Sequence, residues 1–297
     1  KKYKKKFKIC GVMIFWIASY PKSGNTWLRA LLSAYYYTRD GIYTGDILLN
    51  NIDQFPQKKY LSKFSYNLTK PGETGKFWIK AQELINMDKK VKFFKTHNLL
   101  NTKGDHRFTD SKNTVGAVYI VRDPRNVITS IKNHYELNDD QALTWMKNQN
   151  NYIYDVSNFE NDGYSDFQYI SSWNINYKSW KVQNKIPIKI IKYEDLLNQT
   201  FVVFKDIVKF INKTNQLNEK INIDKLKNSV NSTFFEKLKK DEEKNGFSES
   251  ITSKKTNTKI PFFFLGPKNN WRNILNKELQ IKISETFKSE TSELGYK

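Results

Sequence analysis

One cysteine, three histidines and three methionines in 297 residues leave little room for several kinds of chemistry. The lone Cys10 excludes an internal disulfide and fits a reducing, cytoplasmic setting. The histidines, at 97, 106 and 134, form no convincing metal-ligand cluster, so no metal is expected. Arginine is scarce too, standing only at 29, 39, 107, 122, 125 and 272 among 50 basic residues. The net charge of +20 is therefore a lysine charge, spread as on a solvated surface. A nucleic-acid binder would show clustered arginines and a recognised module, and neither is present. Such a surface still draws in a polyanionic cofactor or an acidic acceptor. Long apolar runs are also missing. Lys1 to Lys8 followed by Ile9 to Tyr20 has the outline of a signal peptide. The run is too short to span a bilayer and feeds directly into a glycine-containing loop, so it is better used as a first strand behind a basic extension, residues 1–12.

What is present suffices for a large core: 297 residues, 38% of them hydrophobic and 15% aromatic, can form one α/β domain or two small ones. The stretch that organises it is Tyr20 to Trp27, Y-P-K-S-G-N-T-W. Before it, Met13 to Ala18 suits a strand buried on both faces. After it, Trp27, Leu31 and Tyr35 recur at helical spacing. A loop between buried strand and helix N-terminus can hold an anion on unpartnered N–H groups at the positive end of the helix dipole. Gly24 lets backbone approach a ligand, Ser23, Asn25 and Thr26 offer short polar donors, and Lys22 brings a mobile charge. The order differs from G-x-x-x-x-G-K-[ST], in which the lysine follows the last glycine and the next hydroxyl holds magnesium.

Val91 to Lys95 forms a second strand that ends in Lys95-Thr96-His97, placing His97 at the carboxyl edge where open α/β sheets bind ligands. A histidine there is either a polar strand-end residue or a general base. Val115 to Val121 is the clearest central strand. It runs into Arg122-Asp123-Pro124, with Asp123 as cap and Pro124 at the first position of a helix to about Tyr135. Arg122 with Ser130, eight residues on, suits a dianionic phosphate, although Arg122 could equally pair with a carboxylate.

The octapeptide resembles the 5′-phosphosulfate loop of sulfotransferases that use 3′-phosphoadenosine 5′-phosphosulfate (PAPS), Y-P-K-[SA]-G-[TN]-T-W. R-D-P-R-N-V-I-T-S resembles their 3′-phosphate motif. The resemblance, which runs in motif order along nearly the whole chain from Ile14, implies a single P-loop-like α/β domain over 1–297 with a central, mainly parallel sheet flanked by helices, and PAPS as co-substrate without a metal. It implies that His97 takes the acceptor proton, that Lys22, assisted by Lys95, stabilises the leaving phosphate, and that Arg122 and Ser130 hold the 3′-phosphate. Lys22, Ser23, Gly24, Asn25, Thr26 and Trp27 would contact the donor's 5′ end. Tyr193, in Y-E-D-L, is implied near the adenine, as are Thr233 and Phe235, in a segment where Phe234 replaces a usual serine. Ser172-Trp173 to Trp180 resembles G-S-W-x-x-H-x-x-x-W, with Asn176 in the histidine's place. The segment Phe262 to Asn273 departs most from the pattern R-K-G-x-x-G-D-W-[KR]-N: Gly266 matches, but Phe264 and Leu265 occupy the Arg-Lys positions, and Lys268 or a lysine of the preceding loop is the cation left to compensate.

Elsewhere, Arg39 to Glu73 reads as an irregular excursion, Phe77 to Met87 as a short helix, and Asn150 to Asp166 as a polar loop. Lys239 to Lys259, with little to bury, reads as a mobile loop, and Lys277 to Lys288 as the last helix. Tyr35, Tyr36 and Tyr37 suit either an acceptor pocket or the core. His106 falls in a loop and His134 near a helix end, and both read as structural or at the rim of the site. The expected reaction is sulfuryl transfer from PAPS to a hydroxyl or amine of a small molecule or glycan. The rivals are a P-loop small-molecule kinase, which the missing G-K-[ST] opposes, and a non-catalytic polyanion binder on the same scaffold.

Overall fold

Five successive residues, Ile14 to Ala18, are fully buried because β1 (Ile14–Ser19) runs through the centre of a sheet covered on both faces. The computed structural model describes residues 13–88, 90–100, 102–103, 106–182, 185–217, 219–253 and 255–297, so the basic extension at 1–12 lies outside the described residues. After β1 come α1 (Asn25–Tyr37), β2 (Asp53–Gln54), α2 (Lys58–Leu61), α3 (Trp78–Asn86) and β3 (Lys92–Thr96). A small hairpin, β4 (Thr102–Lys103) and β5 (His106–Arg107), precedes β6 (Thr114–Val121), α4 (Pro124–Tyr135) and α5 (Asp139–Lys147). Then follow β7 (Tyr152–Ile153), α6 (Phe159–Asp162), β8 (Gln168–Tyr169), α7 (Trp173–Lys181), β9 (Ile188–Lys192) and α8 (Tyr193–Asn198). The remaining helices are α9 (Thr200–Thr214), α10 (Ile223–Ser232), α11 (Phe235–Asn245), α12 (Trp271–Ile274), α13 (Lys277–Thr286) and α14 (Lys288–Glu293).

The five-stranded sheet has the order β2-β3-β1-β6-β9, and every pairing in it is parallel. This is the expected α/β architecture of helices around a parallel sheet. The chain builds β3 on one side of β1 and then β6 on the other, so strand order reverses at β1, where such sheets open a ligand crevice. Register aligns Ala18 with Thr96 and Ser19 with Ile120. The residues that follow, Tyr20 onward, His97 and Arg122, consequently leave the sheet at one edge.

Alternation along β1 divides the core. Ile14, Trp16 and Ala18 pack with Tyr119, Val127 of α4, Trp173 of α7 and Ile283 of α13. Phe15 and Ile17 face the opposite way, against Leu28 and Leu31 of α1, Ile207 of α9 and Leu226 of α10. The Trp16 indole, fully buried, donates to Thr114 Oγ1 at 2.8 Å, so its polar atom is satisfied inside the sheet. Caps follow their sequence signals: Asp123 accepts from the Arg125 amide behind Pro124, and Asn138 and Gln141 form a reciprocal capping box on α5.

Several stretches are more ordered than their composition suggests. Lys239 to Lys259 is not loop throughout: α11 continues to Asn245, docked by buried Leu238 against Tyr43 and Phe263, and stops at Gly246 with φ 76°. The Asn150 to Asp166 stretch contains β7 and α6 and leads into β8, which pairs with β7. The last helix breaks at Phe287 into α13 and α14. Tyr35 and Tyr36 belong to the core, Tyr36 stacking on Phe93 at 5.3 Å. Among the described residues no helix is long and apolar enough to cross a membrane.

Candidate active site

At the end of β1 the chain makes two left-handed steps, Lys22 at φ 63° and Gly24 at φ 99°, before α1 begins. Gly24 is required twice over. Its φ favours glycine, and a Cβ there would lie 2.5 Å from the Tyr193 ring. Asn25 pins the turn by donating to Ile17 O at 3.0 Å and Ser19 Oγ at 3.2 Å, so it shapes the loop from beneath. The first turn of α1 carries no acidic residue and no side-chain cap, which leaves its amides to a ligand. Ser23 Oγ, Trp27 Nε1 and Arg122 Nε are buried without a hydrogen-bond partner in the protein. Such orphaned donors normally find a partner, and an anionic nucleotide would supply acceptors.

Cations converge on this loop. Lys22 Nζ lies 3.8 Å from the centre of the Phe262 ring. Burial, with Lys95 and Arg122 nearby, lowers its pKa to about 7, against the pull of Glu249. Arg122 donates to Lys22 O at 3.2 Å, reaches Ser130 Oγ at 3.5 Å, and lays its guanidinium 4.2 Å over Tyr193. Asn269, from the divergent segment, docks on the same helix. It accepts from Thr129 Oγ1 at 2.8 Å and donates to Asn126 O and Ser130 Oγ. On the other side of the loop, Lys95 and Arg29 share the Glu249 carboxylate, at 2.7 and 2.5 Å.

His97 sits between these groups. Its Nδ1 is 2.8 Å from Ser19 O. A carbonyl only accepts, so Nδ1 carries the proton and Nε2 keeps the lone pair. Burial, followed by Lys95, lowers the imidazole pKa to about 3, so it is neutral at pH 7. Its backbone is clamped as well: His97 N donates to Gln168 Oε1 at 2.7 Å, and Asn176 Nδ2 donates to His97 O at 3.0 Å. Asn176, in place of the histidine common in the motif, thus supports His97 while accepting from Tyr119 OH at 2.8 Å.

One cavity of about 800 Å³ joins Lys22, Gly24 to Trp27, Lys95, His97, Arg122 and Ser130, with Tyr193, Phe235 and Gly266 also on its walls. Phe235 packs against Gly266, where a Cβ would collide with the ring at 2.3 Å. Thr233 is not brought in: it is fully buried and returns its hydroxyl to Ser229 O of α10, leaving Phe234 and Phe235 at the wall. Lys268 is exposed and absent from the lining, so the segment with Phe264 and Leu265 presents no lysine or arginine to the cavity, whereas Lys259, from the preceding loop, lines it. His134, read as structural or peripheral, lines the cavity with its ring edge-on to Phe262. Arg29 and Glu249 are new to the site. Arg29 had a signal, being one of few arginines and three residues after Thr26 on a helix; Glu249 had none.

Fold and loop together define an α/β protein with a cation-lined loop at a strand–helix junction, open to a cavity of about 800 Å³. A sulfotransferase domain profile matches residues 14–295, and the chain belongs to that family. It is 23% identical over 290 residues to luciferin sulfotransferase of Photinus pyralis, covering 93% of this chain and 71% of that protein. It is equally 23% identical over 282 residues to sulfotransferase 1B1 of Mus musculus, covering 93% and 82%. In fold it resembles a retinol dehydratase crystallised with retinol and PAP, with a TM-score of 0.52, 15% identity and coverage of 95% and 82%.

Two glycines isolate the contribution of the loop. Gly72 has the same left-handed backbone as Gly24, φ 78° and ψ −3° against 99° and 13°, but a Cβ there would meet the Phe167 ring at an ordinary 3.7 Å, whereas at Gly24 it would stand 2.5 Å from Tyr193. Gly72→Ala is expected to cost about 1–2 kcal/mol and Gly24→Ala about 2–5 kcal/mol. Urea unfolding of both variants checks the difference, and equal losses would contradict the Tyr193 contact.

Proposed function

We propose that the protein transfers a sulfuryl group from PAPS to a hydroxyl or amine acceptor and releases adenosine 3′,5′-bisphosphate (PAP). The observation that carries this reading is the His97 tautomer: Ser19 O holds Nδ1–H, so a neutral base with a free Nε2 stands beside an anion loop in one cavity.

In this scheme His97 Nε2 takes the acceptor proton as the acceptor oxygen or nitrogen attacks sulfur. The bond from sulfur to the bridging oxygen breaks, and its electrons pass to the 5′-phosphate. Lys22 and the α1 amides stabilise the charge that builds there, as in phosphoryl transfer, where positioning and electrostatics supply most of the acceleration. Arg122 and Ser130 hold the 3′-phosphate, and Tyr193, Trp27 and Phe235 offer ring surface near the base. Without a cation from Phe264 or Leu265, the grip on the 3′-phosphate is weaker by about 1.5–3 kcal/mol than a fully charged clamp would give.

PAP is expected to raise the melting temperature more than adenosine 5′-phosphate or ATP with magnesium does, since a ligand that binds only the folded state stabilises it. His97→Ala is expected to lose at least about a hundredfold in turnover while its PAP affinity stays within about threefold. Full activity of that variant, or stabilisation by ATP with magnesium alone, would overturn the reading.

Lys22 gives the pH dependence. Its pKa is about 7 in the free protein, and a bound polyanion raises it toward the ordinary lysine range. Its contribution to binding is therefore complete below pH 7 and fades as pH climbs from 7 through the raised value. Calorimetry at pH 8 in buffers of different ionisation enthalpy is expected to show proton uptake with PAP, and Lys22→Met is expected to abolish that uptake.

A further inference from the structure

The anion loop already holds an anion, and the protein itself supplies it. Glu249 Oε1 meets Arg29 Nη1 at 2.5 Å and Lys95 Nζ at 2.7 Å, while Oε2 accepts from Thr26 Oγ1 at 2.8 Å. Thr26 lies in the first turn of α1, whose own sequence brings no acidic residue there. A hydroxyl has a single proton to donate. As long as Thr26 gives it to Glu249, none is left for a phosphate or sulfonate oxygen, and two of the cations a donor would need are engaged. Burial alone would raise the Glu249 pKa, but Lys95 and Arg29 hold its carboxyl well below the usual range, so it stays ionised.

The segment that carries Glu249 is anchored by the Phe247 ring, which packs on Phe262 and Phe263, and beyond that ring by hydrogen bonds. It begins at Gly246, where the backbone turns at φ 76° with open space around the Cα. Its ties outside the cation cluster include Ser248 N to Asp46 Oδ2, Ser250 Oγ to Glu242 Oε1, and Ser253 Oγ to Glu136 Oε1. Each is a single hydrogen bond from a small side chain or backbone amide, contributing modestly beside water.

We propose that Glu249 is a tethered competitor for the 5′ end of the donor: its carboxylate occupies Thr26, Lys95 and Arg29 in the free protein, and the phosphosulfate group displaces it. Arg29 then joins Thr26 and Lys95 in gripping the donor. The proposal rests on the reading of the cavity as a PAPS site and adds how that site is kept closed.

The test compares wild type with Glu249→Gln, which keeps size and removes charge, by calorimetric titration with PAP and with adenosine 3′-phosphate, which lacks the 5′ group. Glu249→Gln is expected to bind PAP about tenfold tighter, since a charge-assisted competitor is removed, and to bind adenosine 3′-phosphate unchanged within about twofold. In wild type, PAP is expected to speed hydrogen exchange at Ser248 and Ser250, which would be released with Glu249. Equal or weaker PAP binding by the variant, an equal gain with both nucleotides, or unchanged exchange would each overturn the tethered competitor. If wild type binds PAP and only these results fail, the donor site stands without it; if neither protein binds PAP, the donor assignment falls as well, taking the proposal with it.

Discussion

The chemistry of this molecule depends on the register of three parallel strands. β3, β1 and β6 end within a residue of one another, so the groups that follow them, His97, the Tyr20 to Gly24 loop and Arg122, come off one edge at fixed spacing. The hydrogen bond from His97 Nδ1 to Ser19 O is that register expressed in side-chain chemistry, since the last carbonyl of one strand sets the tautomer of the first side chain beyond its neighbour. A slip of one residue would turn every side chain of β1 to the other face and expose Trp16 or Ile17 to the wrong core. Core packing and the orientation of the His97 imidazole are therefore one constraint.

Around that edge the protein buries more positive charge than a folded interior tolerates unaided. Lys22, Lys95, Arg29 and Arg122 cannot all be desolvated without compensation. Each is treated differently. Arg122 lies on the face of Tyr193 and donates to a backbone carbonyl; Lys22 lies against Phe262 and yields part of its basicity; Lys95 and Arg29 share Glu249. The site is a set of cations held by partners weaker than a dianion would be, which is the electrostatic condition for binding one.

What could be read from sequence was what local chain geometry encodes. Strand, Y-P-K-S-G-N-T-W and helix span one supersecondary unit, so loop shape follows from residues within a few positions, and the same holds for Arg122 to Ser130 across a capped helix. The parallel sheet was implied by the resemblance that these motifs carry, and the apolar runs at 14–18 and 115–121 agreed with it because strands buried on both faces need apolar side chains throughout. Glu249 escaped because its partners lie more than 150 residues away and its own neighbourhood, rich in Lys, Glu and Ser, resembles solvated chain. The helical part of that stretch was missed for the same reason: only Phe235 and Leu238, both near its start, tie α11 to a small cluster, and two apolar residues in eleven give no periodicity to detect. Thr233 misled in the opposite way, a hydroxyl that matched a motif but serves the last turn of its own helix.

The segment Phe262 to Asn270 shows how a charged clamp can be exchanged for an aromatic one. Phe262 meets the Lys22 ammonium and the His134 ring, Phe263 packs with Phe235 and Phe247, and the amides of both phenylalanines donate to the Glu242 carboxylate of α11. Glu242 also receives Ser250 Oγ, so one carboxylate fastens the aromatic strap and the segment that carries Glu249. Asn269 closes the far end on α4 beside Ser130. The strap thereby gains apolar burial and shape where an Arg-Lys pair would have given charge. In the proposed scheme discrimination among nucleotides falls on Arg122 and Ser130, and Asn269 holds the strap against α4 beside them. At the opposite end of the cavity Glu249 stands on Lys95 and Arg29, so a single carboxylate, Glu242, fastens both the strap and the segment that carries Glu249.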